Sequence, residues 1–131
     1  MRAILTAFSL VLVSPAAADE VAIQGTIDSQ IEAFRADDFA TAFTFAAPGI
    51  RSIFRTPGNF GTMVQQGYPM VWRPAEVEYL GARDIGAAWE QEVLITDGSG
   101  RLHKLLYRMI ETPDGWRIAG VQLLESSAPA V

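Results

Sequence analysis

The side chains able to do acid–base or nucleophilic chemistry are few. The chain has one histidine, His103, close to the turn-forming sequence Asp97–Gly100, and it has no cysteine. A histidine acts as a general base only when a carboxylate orients it beside a substrate cavity, so the simpler interpretation is a partly exposed histidine near a loop. Without cysteine there is no thiol nucleophile or disulfide framework, and one histidine excludes the usual zinc clusters. The sequence therefore predicts no metal site and no cofactor.

Two glutamates and a tyrosine form the sharper combination. A two-residue turn at Gly98–Ser99 would place Glu90 opposite Tyr107, with Glu92 two residues further along the same strand. A buried carboxylate with a raised pKa, next to a tyrosine donor, suits an isomerase or dehydratase. The alternative is that both glutamates reach water near a sheet edge, where charge opposes aggregation. No motif here marks a catalytic dyad.

Aromatic and methionine side chains are placed where an apolar pocket can form. Tyr68 and Trp72 flank Pro69–Met70, at the change from predicted helices to predicted strands. Methionine and aromatic rings adapt to apolar ligands, although core packing alone explains the same residues. The predicted pocket lining, with the polar candidates included, is Phe60, Met63, Tyr68, Trp72, Glu90, Glu92, His103 and Tyr107.

Length and charge limit the function classes. The chain has 131 residues, which suits one domain with a real core. Its 10 basic and 15 acidic side chains give a formal net charge of −5. That balance argues against a nucleic-acid binder, because such proteins neutralise phosphates with clustered cations.

Residues 1–18 have the three parts of a secretory signal. Arg2 precedes an uncharged, largely apolar run from Ala3 to Val13, and Ala16–Ala18 supplies the small residues that a signal peptidase reads. The run is shorter than the roughly 20 residues needed to span a bilayer. We predict cleavage between Ala18 and Asp19 and a periplasmic or secreted protein. The alternative is a short buried helix or a membrane anchor.

The remaining chain predicts helices followed by strands. Apolar residues recur at helical spacing from Ile23 to Phe34, Asp37 or Asp38 can cap a second helix, and Thr56–Pro57 opens another that Gly67 ends. The period then changes to two, with strands predicted over residues 75–83, 87–96, 101–112 and 116–124. This order predicts one α+β domain over residues 19–125, with short helices packed on a curved antiparallel meander, and a flexible tail over residues 126–131.

The predicted turns also assign the strand residues to two faces. A glycine-bulge turn at Pro113–Gly115 pairs Glu111 with Arg117 and Ile110 with Ile118. The helix-covered face would carry Glu90, Glu92, His103, Leu105, Tyr107, Met109, Ala119, Val121 and Leu123. The other face would be apolar and uncovered, which predicts a homodimer through Trp89, Leu106, Arg108, Ile110, Trp116 and Ile118. The alternative is that the tail or a bend in the first strand covers this patch.

Several short motifs carry a family resemblance. They are Phe54–Arg55, Pro57, Phe60, Met63–Val64, Tyr68–Pro69, Val71, Pro74, Leu106–Tyr107 and Asp114–Ile118. Over residues 21–124 the chain is similar to a bacterial family known as domain of unknown function 4864, and it resembles the nuclear transport factor 2-like, or cystatin-like, superfamily. The resemblance implies a cone-shaped half-barrel with an apolar pocket, often dimeric, and it implies no reaction.

These observations predict an exported domain that binds a small apolar ligand or a partner protein and is not an enzyme. Two alternatives stay open. One is an isomerase or dehydratase with Glu90 or Glu92 as base and Tyr107 or Tyr68 as donor. The other is a structural accessory module of the cell envelope.

Overall fold

Five helices precede four strands in the part of the chain that the structure, a computed structural model, describes. That part is residues 14–124, with Thr6, Ala7, Leu10 and Leu12; the predicted tail and much of the predicted leader lie outside it. The helices are α1 (Pro15–Arg35), α2 (Phe39–Thr44), α3 (Pro48–Phe54), α4 (Pro57–Gly67) and α5 (Pro69–Trp72). The strands are β1 (Pro74–Asp84), β2 (Trp89–Asp97), β3 (Leu102–Thr112) and β4 (Gly115–Leu123). They form one antiparallel sheet in the order β1-β2-β3-β4, which confirms the α+β prediction.

Local signals in the sequence set the helix ends. Ser14 caps α1 by accepting a hydrogen bond from the Ala17 amide, and Asp38 and Thr56 cap α2 and α4 in the same way. Asp37, which follows α1, has a positive φ of 54°, and the Asp38 amide donates back to the Ala33 carbonyl. This pair of features is a Schellman ending, which turns the chain sharply from α1 into α2.

The core lies between the helices and one face of the sheet. The apolar stripe of α1 is buried as predicted, through Ile23, Ile27, Ile31 and Phe34. The opposing sheet face, here called the inner face, consists of Trp89, Gln91, Val93 and Ile95 on β2, Leu105, Tyr107 and Met109 on β3, and Ile118 on β4. All of these inner-face residues are buried.

The predicted register of β2 and β3 is wrong by one residue. Asp97 and Arg101 are bonded across the turn, so its loop has three residues, and Gly100 supplies the positive φ of 86° that this loop needs. Glu90 therefore pairs with Arg108, and Glu92 with Leu106. Since side chains alternate along a strand, a slip of one residue moves each of them to the opposite face.

In the second hairpin, formed by β3 and β4, the strand register differs from the predicted one only near the turn. Thr112 pairs with Gly115, so the loop has two residues, and Met109 pairs with Ile118 where Ile110 was expected. A register shift after Met109 restores the predicted alignment, and Tyr107 lies opposite Val121. The predicted pairs Glu111–Arg117 and Ile110–Ile118 are wrong because the turn is one residue shorter than expected.

The predicted dimer face is consequently not one surface. Trp89 and Ile118 are buried under the helices, and Trp116 packs edge-on against Trp89 with ring centroids 6.3 Å apart. Only Leu106, Arg108 and Ile110 lie on the other face of the sheet, here called the outer face. The argument for a dimer depended on apolar side chains left in water, but two of the six residues are buried in the core and a third, Trp116, is half-buried against it.

Candidate functional site

A cavity of about 230 Å³ lies between the helices and β4. Its walls come from α1, α3, α4, α5 and β4, together with the segment that joins α2 to α3. The lining is mostly apolar: Phe34, Ala46, Ile50, Phe54, Phe60, Met63, Val64, Val71, Ile118 and Val121, with Gln30, Tyr68 and Gly120 completing it. The cavity exists because helices of four to eleven residues, joined at angles, cannot cover the sheet as one continuous layer.

A cluster of aromatic rings around Phe60 forms one wall of the cavity. The Phe60 ring lies 5.9 Å from Phe34, 5.3 Å from Phe43 and 5.9 Å from Phe54, measured between ring centroids. Such tilted and edge-on contacts are the favoured geometries for aromatic rings. Phe60 itself is buried, so its position is fixed by contacts on several sides.

The two polar side chains of the lining are already hydrogen-bonded. The Gln30 Nε2 donates to the Ala42 carbonyl at 3.1 Å, and the Tyr68 hydroxyl donates to the Val121 carbonyl at 3.0 Å. No charged side chain lines the cavity. A charged ligand would lose its hydration there without gaining an ionic partner. That loss of hydration costs roughly several kcal/mol. The cavity therefore suits an uncharged molecule.

Helix α3 is the wall with the least burial. None of its residues is buried, and Ile50 and Phe54 contribute half-buried side chains to the cavity. Ile53 on the same short helix is 72% exposed. Because few buried contacts hold α3, it can open at the lowest free-energy cost of the cavity walls.

Two further polar side chains, Gln91 and Tyr107, lie on the inner face and are not part of the cavity lining. Gln91 is fully buried; its Nε2 donates to the carbonyls of Leu80 and Glu92, and its Oε1 accepts from Gln24. Its cross-strand neighbour Tyr107 is also fully buried, and the Tyr107 hydroxyl has no hydrogen-bond partner among the described residues. Burial, and to a lesser degree the Tyr68 phenol, raises the pKa of Tyr107.

Tyr79 contrasts with Tyr107, although both are phenols on the same side of the sheet. The Tyr79 hydroxyl donates to the Asp28 carboxylate at 2.5 Å, close to the Gln24 carbonyl at 3.2 Å. Burial and the hydrogen bond to Asp28 raise the pKa of Tyr79. Both tyrosines therefore stay protonated at physiological pH. Of the two hydroxyls, only that of Tyr79 has a hydrogen-bond partner among the described residues.

His103 has the carboxylate partner that a general base needs, but it does not line the apolar cavity. Its Nε2 lies 2.7 Å from the Asp97 Oδ2, while the Asp97 Oδ1 accepts from the Ser99 and Arg101 amides. The hydrogen bonds from His103 and then Ser99 hold the pKa of Asp97 well below its usual range. The pair lies at the β2–β3 turn, where His103 lines a separate pocket of about 350 Å³ together with Lys104 and Leu123.

The structure brings together only part of the predicted pocket. Phe60, Met63 and Tyr68 line the cavity. Trp72 instead donates its indole N–H to Asp37 at 3.0 Å, where Arg73 also binds that carboxylate. The cavity lining does not include Glu90, Glu92, His103 or Tyr107; the β4 residue paired with Tyr107, Val121, is part of it.

The glutamates cannot serve as bases in this cavity. Glu90 and Glu92 lie on the outer face, where Glu90 pairs with Arg83 at 2.9 Å and Glu92 lies 3.5 Å from Lys104. Tyr107 faces inward, so the sheet separates it from both carboxylates. The interpretation as an isomerase or dehydratase based on these residues is wrong, since it depended on the register that placed them on the inner face.

Sequence reasoning missed Gln30, Phe34, Ile50, Phe54 and the β4 wall. Gln30 carried a readable signal, because it follows Ile27 at helical spacing and interrupts the buried stripe of α1. A polar residue on a buried stripe needs an internal partner, here the Ala42 carbonyl. The other wall residues look like ordinary core residues in the sequence.

Two further properties of the described residues bear on function. They contain no helix both long and apolar enough to cross a bilayer. In the same part of the chain, no group of three or more histidine, aspartate or glutamate side chains is placed to bind a metal ion.

Fold and site together define a class: a small α+β domain with an apolar cavity between its helices and an antiparallel sheet. The chain belongs to the family described as Domain of unknown function (DUF4864), which matches residues 16–131. This match confirms the resemblance to domain of unknown function 4864. No curated protein matches the chain.

Proposed function

We propose that this domain binds one small, uncharged, mainly apolar molecule in the cavity and does not catalyse a reaction on it. The supporting observation is the cavity itself, which is lined mainly by apolar side chains and whose two polar side chains each donate a hydrogen bond within the protein. The only titratable side chain in the lining is Tyr68, whose hydroxyl is bonded to the Val121 carbonyl. A binding function needs nothing more than this arrangement supplies.

The cavity volume sets the size of the ligand. An apolar cavity of about 150 Å³ holds benzene, and pockets for drug-sized ligands begin at about 300 Å³. At about 230 Å³, this cavity falls between these two cases. We expect a ligand of about ten non-hydrogen atoms, for which burying about 200 Å² of apolar surface contributes about 5 kcal/mol. That free energy corresponds to a Kd of about 0.1–1 mM for a simple hydrocarbon probe.

The test is titration of the protein with α-methylstyrene, followed by amide NMR shifts. We expect saturable shifts that cluster at α3, α4 and β4. Ile50→Trp and Ala46→Leu each add bulk to the cavity wall and should abolish binding. Ile53→Trp on α3 and Ala40→Leu on α2 make the same changes at exposed positions and should leave binding intact.

Two results would reject the cavity as the site. One is an absence of saturable binding by the unchanged protein. The other is binding that persists in both Ile50→Trp and Ala46→Leu while thermal unfolding shows that both variants are folded.

The proposal also places the domain outside the cytoplasm. The sequence supports export through Arg2, the apolar run at residues 3–13 and the small residues at 16–18. Residues 15–18 form the exposed first turn of α1, and the first buried side chain of that helix is Ile23. Cleavage after Ala18 would therefore remove no side chain from the core.

A further inference from the structure

The side-chain amide of Gln30 uses only one of its two ends within the protein. Gln30 lines the cavity and is only 3% exposed. Its Nε2 donates to the Ala42 carbonyl at 3.1 Å, and this bond fixes which end of the amide faces α2. The other end is the Oε1, and no described residue donates a hydrogen bond to it. The lining of the cavity therefore contains an amide oxygen with unused acceptor capacity.

This oxygen is open to the cavity. Among the described residues, only the Tyr107 hydroxyl is both unpaired and closed off from open space on all sides. The Gln30 Oε1 is unpaired but is not closed off in that way, so part of its surface borders open space. Gln30 lines the apolar cavity and none of the four other described pockets. A molecule that fills the cavity therefore meets the Oε1 directly.

The unused Oε1 determines what a well-matched ligand must supply. Buried amide oxygens nearly always accept a hydrogen bond, and a ligand that excludes water from this one must donate in place of water or lose affinity. The Tyr68 hydroxyl sets the same requirement, because its own hydrogen is already donated to the Val121 carbonyl and its oxygen can only accept. The cavity therefore favours a ligand with a hydrogen-bond donor.

We infer that the ligand carries one hydroxyl group, which donates its hydrogen to the Gln30 Oε1 while the apolar remainder fills the cavity. The inference rests on the proposed function and narrows it to small apolar alcohols and phenols. An aliphatic amine would also donate, but it is charged at neutral pH, and no charged side chain lines the cavity to pair with it.

Two pairs of probes with matched shapes test this assignment. para-Cresol has a hydroxyl where para-xylene has a methyl group, and acetophenone has a carbonyl oxygen, which cannot donate, where α-methylstyrene has a terminal CH₂ group. The polar member of each pair loses more hydration on binding, so the informative quantity is the ratio of Kd values within a pair, compared between the unchanged protein and Gln30→Met. A hydrogen bond of ordinary strength predicts that Gln30→Met weakens para-cresol relative to para-xylene by about 3- to 10-fold. The ratio for the carbonyl pair should stay the same.

Gln30→Met is a mild change to the free protein. Methionine is similar in length, and the Ala42 carbonyl keeps a hydrogen bond from the Phe45 amide at 3.2 Å. Gln65→Met is the matched control, because it makes the same replacement at an exposed position of α4 outside the cavity lining, and it should leave both ratios unchanged. Tyr68→Phe removes the other acceptor side chain of the lining and should also leave the para-cresol ratio unchanged, since an amide oxygen is a better acceptor than a phenol oxygen.

A measurement on the unchanged protein keeps the assignment testable if Gln30→Met does not fold. A hydrogen bond accepted by the Oε1 polarises the amide, so para-cresol should move the NMR signals of the Gln30 side-chain NH₂ group downfield, and para-xylene should not. Equal shifts of these signals with the two probes would overturn the assignment.

The outcomes separate this inference from the proposed function. If para-xylene binds and Gln30→Met does not alter the para-cresol ratio, the hydroxyl assignment is wrong and the apolar cavity stands. A change in the para-cresol ratio in Tyr68→Phe alone would place the contact at Tyr68 and overturn the assignment to Gln30. A change in the acetophenone ratio in Gln30→Met, with the para-cresol ratio unaltered, would mean that the ligand accepts from the Gln30 amide instead of donating to it. If none of the four probes binds the unchanged protein, the proposed function fails and the inference fails with it.

Discussion

Replacing Gln91 with leucine tests whether the Gln91 side chain stabilises the irregular part of β1. The pairing of β1 with β2 shifts between Tyr79 and Ala82, which leaves Leu80 and Gly81 outside the regular ladder. The Gln91 Nε2 donates to the Leu80 carbonyl at 3.1 Å and to the Glu92 carbonyl at 2.8 Å. Gln91 therefore supplies hydrogen bonds that the ladder cannot.

The expected cost follows from those two carbonyls. Leucine has a similar size but no donor, and each buried polar group left unpaired costs about 1–3 kcal/mol. The added apolar surface recovers part of that cost, so we expect Gln91→Leu to lower the free energy of unfolding by about 2–4 kcal/mol. For a domain of this size, the corresponding fall in Tm is about 8–16 °C.

Thermal unfolding followed by circular dichroism measures this change, with Gln122→Leu as the control. Gln122 is exposed on the outer face of β4, where the same substitution should alter stability by less than about 0.5 kcal/mol. Equal Tm values for the two variants would refute the reasoning, since the β1 carbonyls would then not depend on Gln91. If Gln91→Leu fails to fold while Gln122→Leu folds, the loss of stability from removing the Gln91 amide exceeds our estimate.

Two further predictions concern α4 and the amino terminus. A Cβ on Gly61 would lie 2.7 Å from the Phe39 ring, so Gly61→Ala should lower stability by about 1–3 kcal/mol in denaturant unfolding. Gly58→Ala, where a Cβ meets nothing within 4 Å, should instead raise stability by about 0.4–1 kcal/mol, and the opposite order would contradict this account. Expression of the full chain in a bacterial host should yield a periplasmic or secreted protein that begins at Asp19 by mass spectrometry; a cytoplasmic protein that retains Ala18 would refute export.

Three of the five helices, α1, α2 and α4, were predictable because their signals are local, whereas α3, α5 and the start of α1 at Pro15 were not predicted. The buried stripe of α1 follows from the spacing of Ile23, Ile27 and Ile31, and the caps at Asp38 and Thr56 involve residues only three positions apart. The strands were predictable for the same reason. Alternation and turn residues are properties of short stretches of sequence, which need no knowledge of what packs against them.

The strand registers were harder to predict, because a difference of one residue in the length of a turn changes the register of the whole hairpin. Asp97–Gly100 is compatible with a two-residue or a three-residue loop, and the two choices turn opposite sets of β2 side chains inward. The structure buries Trp89, Gln91, Val93 and Ile95 and leaves Glu90 and Glu92 on the outer face. Burying two unpaired carboxylates costs far more than the difference between two turn types, and that comparison was available in the sequence.

The sequence by itself determined the α+β order and the helix caps, since each depends on residues near one another in the chain. It also determined the family, through short motifs spread between Phe54 and Ile118. Only the tertiary structure decided the site. The cavity is a space left between short helices and β4, and its existence depends on how separate elements pack rather than on any motif. Likewise, Tyr107 and Tyr79 are both tyrosines on strands, but Asp28 of α1 reaches only Tyr79. Which buried hydroxyl is left without a partner is set by long-range contacts, because a hydrogen bond requires its two groups within about 3 Å of one another.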